Sequence, residues 1–190
     1  MKKKLAATLS GGAVVLLALS GCGNNDGKVN DWAKGFCDKV QPQRQAISDA
    51  NESIVKATST ASSPGDVKKV DSAAFRTNAN AYRALASAVK SAGAPPVDDG
   101  EKTQKDAVSE LNATASAYAA LQKQVDALDT KDQAKFAQQL GDVSTQLGKI
   151  GSSGDSALRK LQSGDLGKAM AKQPGCKKGT PSGAASASAS

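Results

Sequence analysis

The sequence predicts an all-α protein, an up-down antiparallel four-helix bundle closed by one disulfide. Three observations carry that expectation. Apolar residues recur at steps of three, four and seven over long stretches, and no run alternates β-branched residues between turn signals. The segments are joined by short Pro/Gly/Ser/Thr connections, which favour antiparallel neighbours. Two cysteines, Cys37 and Cys176, stand near the start and the finish of the helical region. An even number of antiparallel helices brings the chain back to the end where it began, so a bond between them fits four helices and not three.

The elements follow in order. Residues 1–21 read as a secretory signal, with Lys2, Lys3 and Lys4 ahead of the apolar run Leu5 to Leu19. Fifteen residues make about 22 Å of helix, short of a hydrocarbon core of about 30 Å. Residues 22–30 are small and polar and are expected to form a flexible tether of at most about 28 Å. Asp31 is placed to cap a first helix running to about residue 59. Its stripe is Trp32, Phe36, Val40, Ile47, Ala50 and Ile54, with Pro42 expected to kink or break it. Ser63-Pro64 opens a second helix, which carries Val67, Val70, Ala74, Ala81, Tyr82, Leu85 and Val89. Gly93 and Pro95-Pro96 stop it.

Asp98 and Asp99 favour the positive end of a third helix, lined by Val108, Leu111, Ala115, Tyr118, Leu121, Val125 and Leu128. Thr130 with Gln133 resembles a capping box for a fourth helix, whose stripe is Phe136, Leu140, Val143, Leu147 and Ile150. A weaker stripe, Leu158, Leu161 and Leu166, continues to about Ala171. The helical domain is thus expected over 31–176. Residues 177–190, an Ala/Ser-rich tail, cannot bury apolar surface and are expected to be disordered.

Composition narrows the chemistry. Among 190 residues there is no histidine, and aromatics make up 3%. The commonest general base, the commonest neutral metal ligand and the serine–histidine pair are therefore missing. Asp98-Asp99-Gly100-Glu101 is the densest acidic spot, but it lacks the alternating oxygen ligands of a calcium loop. There is no glycine-rich phosphate loop and no GxSxG. The expectation is a protein that is not an enzyme and has no metal, cofactor or catalytic residue. Removal of 1–21 would lower the formal net charge from +7 to +4. No Lys/Arg run is interleaved with aromatics, so no nucleic-acid partner is expected.

The signal ends in Leu19-Ser20-Gly21-Cys22, which resembles the lipobox of bacterial lipoproteins: an aliphatic residue, two small residues, then cysteine. The resemblance implies that Cys22 carries a diacylglycerol and becomes the first residue of the mature chain, held stably by its acyl chains in a bilayer. The other reading is an ordinary secretory signal with an incidental cysteine. If Cys22 is lipidated, Cys37 and Cys176 remain. An even pair in an exported chain reads as one disulfide, with two buried free thiols or an intermolecular bridge as the alternatives.

Trp32 either packs beside the bridge or inserts at a membrane interface, where indole rings concentrate. Lys34, Lys39, Lys172, Lys177 and Lys178 all fall near the cysteine pair. Each is either ordinary solvated charge or a contact to an anionic membrane surface, worth about 1 kcal/mol there. Beyond the lipobox, W-A-K-G-F-C (32–37), G-A-P-P-V-D-D-G-E (93–101) and K-Q-P-G-C (172–176) resemble small secreted lipoproteins of actinomycete bacteria. That resemblance implies one domain on the extracytoplasmic face of the cell membrane, and no activity. The functional expectation is a non-enzymatic binding or structural lipoprotein that contacts an envelope protein or wall polymer. The alternative is a small-ligand carrier with a pocket inside the bundle, lined by Tyr82, Tyr118 and Phe136.

Overall fold

A computed structural model describes residues 23–60, 63–153 and 159–177. The architecture is all-helical, with no strand among the described residues. Four longer helices come first: α1 (Gly23–Ser59), α2 (Pro64–Ala92), α3 (Gly100–Asp126) and α4 (Gln133–Ser153). Two short ones follow, α5 (Gly164–Lys172) and α6 (Pro174–Lys177).

Hydrogen bonds between elements set their directions. The Trp32 indole N–H near the start of α1 donates to the Gly93 carbonyl just past α2, at 3.0 Å. Lys68 and Ser72 in the first half of α2 reach the Leu128 carbonyl and the Asp126 carboxylate at the end of α3, at 2.9 and 2.6 Å. At the opposite end of that pair, the Gln104 side chain donates to the Val89 carbonyl at 3.2 Å. α1, α2 and α3 therefore run alternately up and down. α4 packs on α3, with the Gln124 amide donating to Gln146 at 2.9 Å. α5 and α6 return to α1.

The chain thus reaches the disulfide pole through two short helices rather than through the end of a fourth long one. The physical reason lies in the apolar residues. Leu161 and Leu166, together with Ala169 and Met170, are buried at that pole against Val29, Phe36 and Val40 of α1. The weak stripe after residue 158 is core.

Four local expectations need correction. Residues 23–30, expected as part of a tether, begin α1. Val29 is 4% exposed in the core of the disulfide pole, and this burial outweighs the low helix propensity of the Gly/Asn run. Asn30 also satisfies the Asp26 carbonyl through its side chain, at 2.7 Å. Asp31 consequently lies inside the helix rather than capping it. Pro42 does not break α1, which continues to Ser59. The capping residue of α4 is Asp132, not Thr130: its carboxylate accepts the Lys135 N–H at 3.0 Å.

Other signals are realised as read. Ser63 accepts the Asp66 N–H while its hydroxyl donates to the Asp66 carboxylate at 2.6 Å, and Pro64 occupies the first turn. Gly93 adopts φ 77° at the C-terminus of α2. Asp99 takes φ 57° before α3, and a side chain on Gly100 would run into the Pro95 carbonyl. That contact makes glycine obligatory at the turn.

Two apolar clusters form the core. One surrounds the disulfide and includes Phe36, Val40, Ile47, Leu85, Val89 and Leu111. The other lies towards the far pole and includes Val67, Phe75, Tyr118, Leu121, Val125, Phe136 and Val143. Fully buried Asn78 of α2 donates to Asn51 of α1 at 3.0 Å.

Candidate functional site

The residues singled out by sequence converge on one pole. Cys37 of α1 and Cys176 of α6 form a disulfide with Cα atoms 5.2 Å apart, spanning a sequence separation of 139. Free thiols and an intermolecular bridge are thereby replaced by an intramolecular bond. Glycine at 175 is what lets α6 approach: a Cβ there would stand 2.5 Å from the Cys37 carbonyl oxygen. Arg44, two turns along α1, donates to the Gly175 carbonyl at 2.9 Å, and burial lowers the pKa of its guanidinium.

Trp32 is half-buried at this pole. Its ring stacks on Phe36 with centroids 5.1 Å apart, and its N–H is committed to Gly93. Packing accounts for the residue. Lys34, Lys39, Lys172 and Lys177 are exposed around the disulfide. Lys34 pairs with Asp38 one turn on at 2.7 Å, a contact that raises the lysine pKa. Such an exposed pair adds little to stability. Cys22 and Lys178 lie outside the described residues, as do the signal segment and residues 178–190.

A surface cleft of about 340 Å³ opens at the same pole. Its walls are the first turns of α1 and α5, the α2–α3 connection and the start of α3. Asp26, Asp98, Asp165 and Lys160 line it, together with Thr103 and Val29. The lining is mainly polar, unlike the apolar pocket expected of a carrier.

The three aromatic residues proposed for such a pocket sit elsewhere. Tyr82 and Tyr118 stack with centroids 5.4 Å apart, Tyr118 also meets Phe75 at 6.1 Å, and Phe136 is buried in the far cluster. These rings pack against one another as core. Among the described residues no group of three or more acidic, cysteine or histidine side chains could hold a metal ion. None of the described helices is long and apolar enough to cross a membrane.

Asp71 was not singled out in the sequence. It is 3% exposed on α2, one carboxylate oxygen has no hydrogen-bond partner, and burial raises its pKa to about 6. The signal for it was available. Asp71 lies four residues after Val67 and three before Ala74, on the face that the α2 stripe buries.

No family model, curated protein or solved structure matches this chain. Its function therefore has to be argued from its own residues.

Proposed function

We propose that this chain is a membrane-anchored extracytoplasmic lipoprotein with a non-enzymatic binding or structural role in the cell envelope. In this reading residues 1–21 direct export and are removed, and Cys22 carries the diacylglycerol. The observation that carries it is the cysteine assignment. Cys37 and Cys176 are bonded to each other, so the odd cysteine is the one that follows Leu19-Ser20-Gly21. A disulfide is itself the chemistry of an oxidising compartment.

The long helices act as an up-down antiparallel four-helix scaffold, with the disulfide pole turned to the bilayer. Two features favour this orientation. α1 begins at Gly23, one residue after Cys22, so there is little slack between anchor and domain. Exposed Lys34, Lys39, Lys172 and Lys177 surround the same pole. Opposite it, the faces of α3 and α4 are left for an envelope protein or wall polymer. The family reading, a small actinomycete lipoprotein, rests on the same residues.

Intact mass of the mature protein from its native host tests the anchor. A chain that begins at Cys22 with diacylglycerol added is expected, with Cys22→Ala moving the protein to the soluble fraction. An unmodified Cys22, or cleavage at another residue, overturns the reading.

A further inference from the structure

The two halves of α1 are held unequally. In its first half Val29, Ala33, Phe36 and Val40 are buried, and Cys37 is bonded to α6. Beyond Ile47 only Ala50 and Ala57 are buried, Ile54 is half-buried and Val55 is 53% exposed. A helix end with few and small apolar contacts opens locally before the rest of a fold does.

The α2 face beneath this end is polar where a core is normally apolar. Asp71 and Asn78, two turns apart on the buried face of α2, are 3% and 0% exposed. One carboxylate oxygen of Asp71 and the amide oxygen of Asn78 receive no hydrogen bond among the described residues. Asn78 donates to Asn51 of α1 at 3.0 Å. Because α1 and α2 run antiparallel, that contact sets Asp71 against the last turns of α1.

An oxygen stripped of water favours any state in which water returns, and an ionised carboxylate does so more strongly than an amide. No neighbouring charge relieves Asp71. Glu52 and Lys56 of α1 and Lys123 of α3 are exposed, Asp126 of α3 accepts from Ser72, and Lys68 of α2 donates to the Leu128 carbonyl. Tyr118 of α3 is kept neutral by burial. Burial is the cause of the raised Asp71 pKa, about 6.

We infer that residues 48–59 of α1 form a pH-sensitive flap over Asp71, docked while its carboxyl is protonated and released from α2 once it ionises and takes up water. The closed flap binds the proton more tightly than the open one, so opening grows as pH rises from about 4 to about 6 and is complete in its effect above that. The disulfide half of α1, held by Phe36, Val40 and the Cys37–Cys176 bond, stays in place at both ends of this range. The lipid on Cys22 has no part in the device, so the anchor reading and this one fail separately.

The test is amide hydrogen exchange of the full chain, disulfide intact, in nonionic detergent at pH 4 and pH 7, with rates corrected for their intrinsic pH dependence. Amides of residues 33–44, beside the disulfide, report opening of the whole fold. At pH 7 the amides of 48–59 should be at least tenfold less protected than these. Their protection should fall by up to about a hundredfold from pH 4 to pH 7, the ratio that follows from a carboxyl pKa moved from 3.8 to about 6. In Asp71→Asn it should be the same at both pH values.

Protection of 48–59 equal to that of 33–44 at pH 7 overturns the inference, because the flap would then open only with the whole fold. Weak protection that does not change with pH also overturns it, since opening would not hydrate Asp71. A fall with pH that survives in Asp71→Asn assigns the effect to another group and does the same. The first two outcomes are read on the wild-type chain and need no variant.

Discussion

Replacing Asp71 by asparagine should make the protein more stable at neutral pH and slightly less stable at pH 4. The carboxyl of Asp71 is 3% exposed, and burial moves its pKa from 3.8 to about 6. The folded protein therefore holds this proton more tightly than the unfolded chain does. Between about pH 4 and pH 6 the folded state binds more protons, so stability falls as pH rises through that window. At pH 7 the whole cost is present. A rise of the carboxyl pKa from 3.8 to about 6 corresponds to about 3 kcal/mol.

Asparagine keeps the shape and never ionises. It should recover most of this about 3 kcal/mol at pH 7, less about 1 kcal/mol or more for burying its own amide. Denaturant melts followed by circular dichroism, disulfide intact, at pH 4, 5, 6 and 7 give the difference between the two proteins at each pH. Other carboxylates cancel in that difference. A stability gap that stays flat from pH 4 to pH 7 would refute the argument, because it would mean that Asp71 titrates alike in folded and unfolded chains.

Removing the disulfide with Cys37→Ala and Cys176→Ala should cost up to about 5 kcal/mol, from the loop entropy of a 139-residue separation, read as a lower denaturation midpoint. Gly100→Ala should destabilise by about 1–3 kcal/mol, since the new methyl meets the Pro95 carbonyl and the α2–α3 turn must open; an unchanged melting temperature would contradict that contact. Trp32→Phe removes the indole donor from the Gly93 carbonyl but keeps the ring on Phe36, so a loss of about 1 kcal/mol is expected in the same assay. Ser63→Ala should cost about 0.5–1 kcal/mol by removing the hydroxyl that accepts the Asp66 amide and donates to its carboxylate, the amide keeping the Ser63 carbonyl.

The helical stripes show how much was legible beforehand. Val40, Ile47, Leu85, Val89, Leu111, Leu121 and Val125 were read from spacing and are each at most 7% exposed. Helix periodicity reports directly which face is buried, so these positions needed no tertiary information. Ser63-Pro64 and Gly93 are equally local: cap and stop depend on neighbours within four residues. The run 23–30 misled for the converse reason. Its glycines and asparagines disfavour helix, and only contacts made by Val29 at the disulfide pole, where Leu166 and Met170 pack, overcome that preference.

The cleft was invisible to sequence reading for a geometric reason. Asp26, Asp98, Thr103 and Lys160 span more than 130 positions of the chain, and no spacing rule connects them. Asp71 lies between these cases. Its place on the apolar stripe is written in the sequence, but the rise in its pKa depends on what α1 and α3 place around it.

Sequence alone determined that this chain is helical, where most of its helices begin and end, and which cysteines are available to pair, because those properties depend on residues a few positions apart. Tertiary structure decided that Cys37 meets Cys176, that α5 and α6 rather than a fourth long helix seal that pole, and that a charged cleft opens beside it. These outcomes turn on which distant apolar surfaces bury one another, a competition settled only when the whole chain has packed.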